Sequence, residues 1–523
     1  MAAVAALSCA PAAQLPDRPT ARAWTAGATC YEVFVRSFSD SNGDGIGDFN
    51  GLTAKLDYIS DLGASCLWLM PVAESPSYHG YDVSDYYKVE SDYGTADDFK
   101  RMVAAAHRRD IKVLVDMVLN HASSEHPSFQ AALSDTTSPY RAWYRFSPSD
   151  LGKGPWGAVA WHKSPVRNEY YYGVFWSGMP DLNYDTRAVR EEAKQVATYW
   201  LREMGVDGFR LDAVPYLVEE GSCNTGCAGT HAFLHEYAAH LDSIAPEAYT
   251  VGEAWGNIAR LLPYYPDQLT SYFAFELADS LVSAVRNGSA AGLFAGYLQL
   301  QDTLPPQRWS PLLSNHDGTR VKTMLGGDVA KARLAGTLLL TLPGMPFVYY
   351  GEEIGMTGDK PDPRLRTPMQ WKATRGLGFT SGTPWEAAQP DSFTTTVEAQ
   401  QADSNSLLNL YRRLIHLRKV NEALATGRLL PLVPGDPAVA AYLRRAGDHA
   451  VLVVANLGTA AVSTVSLTGM NVLPPGRYEP RNLLSGPNGA VLEVSPEGSL
   501  RDYLPLPRPL APGESLVFEL IRR

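Results

Sequence analysis

Cysteine is scarce in this chain, five in 523 residues, far below the density of a small disulfide scaffold. No run of ~18 apolar residues occurs, so nothing reads as a membrane span. Basic residues are outnumbered, 45 Lys and Arg against 56 Asp and Glu. The resulting formal net charge of −11 argues against a nucleic-acid or anionic-membrane partner. Internal repeats are missing, which excludes solenoids and propellers. Met1 to Ala13 is small and apolar but carries no Lys or Arg, so it falls short of a secretory leader.

What is present describes a globular protein. Hydrophobic residues make up 45% and charged residues 19%. The length exceeds one compact core and implies roughly two or three domains. Aromatics are plentiful, with 11 Trp, 27 Tyr and 16 Phe. They build cores first, and sugar faces also stack on them.

The few cysteines divide into three kinds. Cys30 and Cys66 lie in strand-like runs and read as inert core thiols. Cys223 and Cys227 share a loop-like Gly-Ser-Cys-Asn-Thr-Gly-Cys string, whose spacing allows a local disulfide or two free thiols. A zinc half-site fits less well, because no second Cys or His pair has matching spacing. Cys9, in Ala-Leu-Ser-Cys-Ala, resembles a lipoprotein cleavage site. Residues 1–25 are therefore read as a disordered leader or signal remnant. An extracytoplasmic setting is the expectation, with a cytoplasmic one as the alternative.

Strand-like apolar runs alternate with helical patterns up to about residue 430, the signature of a parallel α/β sheet. The candidate strands are Thr29–Val35, Ser65–Met70, Lys112–Val118, Val206–Leu211, Tyr249–Val251, Ser271–Phe275, Trp309–Leu313 and Phe347–Tyr350. Thr95 to Arg109 predicts a helix, opened by a Thr95–Asp98 capping pair and carrying Phe99, Met102, Val103 and Ala106 on one face. Ser406 to Lys419 predicts another. The stretch from Ala122 to Gly178 lacks periodicity, which marks a functional loop or a small inserted domain. Beyond about residue 430, short β runs separated by Pro and Gly predict an all-β domain. The expected architecture is a (β/α)8 barrel over 26–120 and 179–428, an inserted domain over 121–178, and a C-terminal β-sandwich over 429–523. The chain is expected to act as a monomer.

Three short strings each carry one carboxylate at or just after a strand-like run: Gly-Phe-Arg-Leu-Asp212, Val-Gly-Glu253-Ala-Trp and Leu-Ser-Asn-His-Asp317. The mouth of such a barrel is where catalytic groups gather. Several acids at one mouth suit chemistry on a neutral, hydroxyl-rich substrate, above all a glycosidic bond. Arg210 lies two residues before Asp212, on the same side of a strand. A guanidinium there should lower the Asp212 pKa and keep it ionised, as a nucleophile requires. Glu253 is then the acid, and Asp317, next to His316, the group that clamps sugar hydroxyls. A separate loop, Asp40-Ser-Asn-Gly-Asp-Gly-Ile-Gly-Asp48, places oxygen donors at alternate positions with glycines at the bends. Asp40, Asn42, Asp44, the Ile46 carbonyl and Asp48 are candidate ligands for a structural Ca²⁺, with Mg²⁺ as alternative.

With Asp-Met-Val-Leu-Asn-His from Asp116 to His121, these strings make the chain resemble the α-amylase family of glycoside hydrolases, family 13, over essentially its whole length. The resemblance implies that Asp212 is the nucleophile, Glu253 the acid/base and Asp317 the transition-state stabiliser. It also implies substrate contacts at Tyr81, His121, Arg210 and His316, with Tyr81 as a stacking platform. Related α-glucosidases and neopullulanase-like enzymes carry a loop similar to Asp40–Asp48. A second calcium site, common in α-amylases, needs a His shortly after the nucleophile and is not expected here.

Met179-Pro-Asp-Leu-Asn183 and Arg366-Thr-Pro-Met-Gln-Trp371 resemble a group between oligo-1,6-glucosidase and neopullulanase types. Exo-acting α-glucosidases usually carry an Asp three residues before the stacking tyrosine, where this chain has Tyr78. Ala213 stands where α-1,6-specific relatives commonly have Val. Both point to α-1,4 bonds, in starch fragments or maltooligosaccharides, with transglycosylation as a side reaction. Asp212 to Leu217 also resembles trehalose synthase, so maltose isomerisation and exo-glucosidase action are the competing enzymatic readings. A barrel retained only for binding is disfavoured, because all three carboxylates are kept.

Overall fold

The computed structural model describes residues 22–305 and 307–523. The expected leader up to residue 21, with Cys9, lies outside them. Residues 22–25, assigned to that leader from sequence, instead begin the fold. Ala23–Thr25 form a 3-10 turn, Trp24 packs edge-on against Tyr249, and Arg22 donates to the Ala248 carbonyl at 3.0 Å.

All eight anticipated runs contain strands: β1 (Cys30–Val33), β2 (Cys66–Leu69), β3 (Lys112–Met117), β4 (Gly208–Leu211), β5 (Tyr249–Gly252), β6 (Ser271–Phe273), β7 (Trp309–Ser310) and β8 (Phe347–Tyr349). They pair in parallel in the order β7-β6-β5-β4-β3-β2-β1-β8. Met345 N donating to Trp309 O at 3.0 Å and Phe347 N to Pro311 O at 2.9 Å draw the two ends together. The strands read as continuous apolar runs because both faces are buried. Inside, Trp68, Leu114, Tyr249, Val251, Phe273 and Phe347 fill the barrel as one cluster.

The helices wrap the outside for reasons visible in their ends and faces. Helix Ala96–His107 starts where the Thr95 side chain accepts from Asp98 N and the Asp98 side chain accepts from Thr95 N. It buries Phe99, Met102, Val103 and Ala106. Ser406 caps helix Leu407–Val420, which buries Leu407, Leu410, Tyr411 and Leu414. No helix among the described residues is long and apolar enough to cross a membrane.

Between β3 and β4 the chain forms helix Pro127–Ser134 and a three-stranded antiparallel sheet of Phe146–Ser147, Tyr170–Tyr172 and Trp161–Lys163. Strands this short are too brief for an alternating pattern, which is why the sequence showed none. After the barrel, a six-stranded antiparallel sheet and a three-stranded one enclose a second core that includes Leu443, Leu452, Leu467, Leu500 and Phe518. Buried Arg444 joins this unit to the preceding chain by donating to the Leu424 carbonyl at 3.0 Å and the Gly427 carbonyl at 3.1 Å.

The reading of Cys30 and Cys66 as free core thiols is corrected. β1 and β2 pair with Cys30 opposite Cys66, their Cα atoms are 4.5 Å apart, and the two form a disulfide. Partner strand and register bring together residues 36 apart in sequence, and neither is written in the local pattern. Cys223 and Cys227 form the second disulfide. Non-reducing peptide mapping is expected to recover Cys30–Cys66 and Cys223–Cys227 cross-links. Alkylation of any of these four cysteines before reduction would contradict the assignment.

Candidate active site

The three acids all follow barrel strands at the same end. Asp212 follows β4, Glu253 follows β5, and Asp317 lies in the turn beyond β7. Two more acids come from within strands, Glu32 in β1 and Asp116 in β3. Register places Asp116 opposite Arg210, so both side chains meet inside the barrel mouth.

Arg210 is fully buried. Its Nη1 donates to Asp116 Oδ1 at 2.8 Å, Asp116 Oδ2 at 3.0 Å and Asp212 Oδ1 at 2.8 Å. Its Nη2 lies 2.8 Å from Glu253 Oε2. One guanidinium therefore holds three carboxylates. The expectation that Arg210 would leave Asp212 with a lowered pKa is corrected on this ground. Burial pushes the Asp212 carboxyl up, and Arg210 pulls it down. Glu253, Asp116 and Asp317 push it up again, leaving it well above the ordinary range.

Both oxygens of Glu253 are fixed. Oε2 also accepts from the Ala213 N–H at 3.1 Å, which a left-handed backbone at Ala213, φ 49°, presents. Oε1 accepts from Trp255 Nε1 at 2.8 Å.

A second cluster sits beside the first. His316 Nδ1 lies 2.6 Å from Glu32 Oε1, and its Nε2 lies 2.9 Å from Asp317 Oδ2. Burial pushes the imidazole down, but Asp317 and Glu32 outweigh it and raise the pKa to about 9. Burial likewise pushes Asp317 up, but the charges of His316 and Arg366 and the His316 hydrogen bond hold it below the usual carboxylate range. Arg366 Nη2 reaches Asp317 Oδ1 at 3.0 Å. The Tyr81 hydroxyl links the clusters, donating to Asp116 Oδ2 at 3.0 Å and lying 2.7 Å from His316 Nε2. The Tyr81 and His316 rings stack with planes 14° apart. His121 Nε2 donates to the Tyr81 carbonyl at 3.0 Å, and burial lowers its pKa to about 3, so it stays neutral.

These groups open onto a cleft of about 450 Å³. Tyr81, His121, Asp212, Glu253 and Asp317 line it, and Arg210 and His316 lie behind them. Trp156, Trp176 and Trp255 stand half exposed on its walls, with Phe175 and Tyr216 between. Lys360, Asp362 and Arg366 complete the rim. Sequence reasoning did not pick out Asp116, Glu32 or this aromatic wall as site residues. Trp255 could have been found from its place two residues after Glu253, whereas Trp156 lies in a glycine-rich loop with no local signal. A hollow of about 510 Å³ near Thr250, Thr270 and Arg308 lies by the starts of β5 and β6, away from the acids.

The Asp40–Asp48 loop stands apart from this chemistry. Asp40 accepts from the N–H groups of Asn42, Gly43 and Gly45, at 2.7–2.9 Å, and Gly43 and Gly45 take the positive φ that the curl needs. Asn42 and Asp44 bond to each other. Asp48 accepts from Ser41 and caps helix Phe49–Ala54 at Gly51 N. The donors are all hard oxygens, which suits a hard cation. Among the described residues, no three acidic, His or Cys side chains converge closely enough to hold a metal. A cation in this loop would therefore draw on the Asn42 amide and the Ile46 carbonyl as well.

The raised His316 pKa has a defined sign. Its ion pairs stabilise the fold fully below the unfolded value of roughly 6.5 and are lost as pH rises through about 9. The wild type is expected to lose about 3 kcal/mol across that interval relative to a His316→Asn variant. Thermal unfolding at several pH values checks this, and parallel curves for the two proteins would refute it.

Comparison with known proteins agrees with this geometry. Residues 32–427 match the family model for the alpha amylase catalytic domain. Alpha-amylase 3 of Dictyoglomus thermophilum is 41% identical over 441 residues, covering 83% of this chain and 85% of that protein. The Trehalose synthase/amylase TreS of Mycolicibacterium smegmatis is 37% identical over 507 residues, covering 84% and 85%. The crystal structure of the alpha-amylase from H. orenii superposes with a TM-score of 0.81 at 36% identity, covering 94% of this chain and 99% of that one. With an eight-stranded parallel barrel and its acids at one mouth, the chain belongs to the alpha-amylase family and is a glycosidase of the α-amylase type.

Proposed function

We propose that the protein is a retaining α-glycosidase that cleaves α-1,4-glucosidic bonds in starch-derived glucans and maltooligosaccharides, with transglycosylation as a side reaction. The observation that carries this is the pair Asp212 and Glu253 held by a single guanidinium, Arg210. Such bridging suits the shorter carboxylate spacing of retaining enzymes, about 5 Å, rather than the wider gap that inverting enzymes leave for water.

In this reading Asp212 attacks the anomeric carbon while Glu253 gives its proton to the departing glycosidic oxygen. A glycosyl ester on Asp212 results. Glu253, now ionised, takes a proton from water, which attacks the same carbon and frees Asp212. A sugar hydroxyl in place of that water gives transfer. Asp317, held ionised by His316 and Arg366, binds ring hydroxyls and steadies the positive charge of the transition state. Tyr81 offers its ring as a stacking face. The half-exposed tryptophans suit chains longer than a disaccharide, and Tyr78, stacked on Trp385, supplies no carboxylate to close the pocket around a terminal sugar.

Isomerisation of maltose to trehalose is the second reading, supported by the likeness to a protein named trehalose synthase/amylase. A monomer in an extracytoplasmic setting is the accompanying proposal, and the two disulfides support an oxidising compartment. Asp40, Asn42, Asp44, the Ile46 carbonyl and Asp48 are proposed to bind Ca²⁺, or Mg²⁺ in its place, as a structural ion. Its proposed function is to fix a loop that hydrogen-bonds to Thr380 and packs beside Gly382.

Asp212→Asn is expected to reduce kcat on maltoheptaose by about 10⁴-fold or more, and unchanged turnover would end the mechanism. Early wild-type products should be a spread of α-anomeric oligosaccharides by NMR and chromatography. Glucose alone would instead indicate an exo-glucosidase, and trehalose from maltose an isomerase. Calcium at 100 times its Kd should add about 2.7 kcal/mol of stability, lost with a chelator and absent in Asp44→Ala. Identical melting with and without Ca²⁺ and Mg²⁺ would remove the metal from the account.

A further inference from the structure

The chain that leaves β4 doubles back on itself before it enters the next long helix. After Asp212 it makes the 3-10 turn Val214–Tyr216, with Pro215 in its first positions. Helix Ala228–Ile244 begins twelve positions later. In between, Glu220 and Cys223 exchange backbone hydrogen bonds, both at 2.9 Å. Gly221 and Gly226 take the left-handed φ of 60° and 59° that such bends need. Gly226 N donates to the Pro215 carbonyl at 2.7 Å, so the loop tip lies on the turn where the excursion began. Ser222 to Gly226 carries no large apolar side chain that could hold this tip. The Cys223–Cys227 disulfide closes it instead. Cys227 stands at the helix cap and its side chain makes no cap hydrogen bond. Glu220 Oε1 accepts from Gly229 N at 3.0 Å in its place.

This covalent closure stands directly behind the catalytic cleft. Tyr216 lines the cleft, with its ring centroid 4.8 Å from that of Trp156 and 6.0 Å from that of Phe175. Trp156 and Phe175 are 5.4 Å from each other, so the three rings make one wall. Of the three, only Tyr216 is buried. Thr225, between the two cysteines, has its side chain within hydrogen-bonding reach of the Tyr216 hydroxyl, as does Trp156. The cross-linked loop therefore backs the one ring on which the two exposed rings lean.

We propose that the Cys223–Cys227 disulfide is a redox-cleavable clamp that positions Tyr216 and, through it, the aromatic wall of the cleft. Cys223 is partly exposed and open to an incoming thiolate, whereas Cys30 and Cys66 are wholly buried. A dithiol opens the clamp by exchange. One of its thiolates attacks Cys223 Sγ, and Cys227 departs as a thiolate that takes up a proton. The second sulfur of the dithiol then displaces Cys223, which is protonated in turn, and the dithiol leaves as a cyclic disulfide. Once cut, the loop tip regains the freedom of its two glycines. A sugar must then order the wall as it binds, which weakens binding and leaves the bond-breaking step alone. The clamp stands on the loop geometry, and its kinetic readout rests on the glucanase reading above.

Wild-type enzyme treated with dithiothreitol under native conditions is expected to expose two thiols, mapped by alkylation to Cys223 and Cys227. KM for maltoheptaose should rise about tenfold with kcat changed less than about twofold, and reoxidation should restore it. The double variant Cys223→Ser, Cys227→Ser should show the raised KM without reductant and no response to it. Should that variant fail to fold, the wild-type reduction decides by itself. Amide hydrogen exchange gives a readout that needs no substrate: residues 213–227 should exchange about tenfold faster after reduction, with β4 and β5 unchanged. Resistance of this bond to dithiothreitol in the folded protein, an unchanged KM once it is cut, or a response that persists in the double variant would overturn the proposal. If the oxidised enzyme does not cleave maltoheptaose, the glucanase reading fails alone. Hydrogen exchange then decides the clamp, and unchanged exchange on reduction overturns it.

Discussion

One buried guanidinium organises this protein. Arg210 has no solvent to satisfy it and is surrounded by Asp116, Asp212 and Glu253. A charge so deeply buried is tolerable only when paired and hydrogen-bonded. The acids in turn need the guanidinium, since three carboxylates at this depth would otherwise repel one another. The barrel satisfies both demands by delivering Asp116 from β3, Arg210 from β4, and the two reacting acids from the ends of β4 and β5. Removing Arg210 would leave several acids without their shared cation, so its contribution to stability and to chemistry cannot be separated.

Beside it lies an arrangement of opposite character. His316 is cationic because Glu32 and Asp317 flank it on its two nitrogens. The excess negative charge around Arg210 raises the carboxyl pKa of Asp212, while the cations His316 and Arg366 lower that of Asp317. Neighbouring acids of one mouth are thereby pushed apart in proton affinity. Tyr81 touches both groups through one hydroxyl and offers its ring to the cleft, so the stacking surface is positioned by the same network that sets the charges.

Much of this was legible in the sequence because it depends on local pattern. The eight apolar runs were readable since a parallel strand buried on both sides has no polar face to interrupt it. The Thr95–Asp98 pair announced its helix because a capping box is made of side chains three residues apart. Asp212, Glu253 and Asp317 were legible because each lies at the end of a strand-like run or just after one. The small sheet between β3 and β4 was not, since strands of two or three residues leave no period. Glu32 and Asp116 lie within strands, and their importance comes from residues distant in sequence, His316 for Glu32 and Arg210 for Asp116.

What the sequence by itself determined is therefore the inventory: a parallel barrel, a following β domain, and the acids at strand ends. Only the tertiary structure decided how those charges are shared. Strand register set Asp116 against Arg210 and joined Cys30 to Cys66, where the sequence suggested two free thiols. It also divided one guanidinium among three acids, reversing the expected direction of the Asp212 pKa. The physical reason is common to all three. Coulombic interaction and disulfide formation depend on distances of a few ångströms between residues tens to hundreds of positions apart, and only the folded barrel fixes those distances.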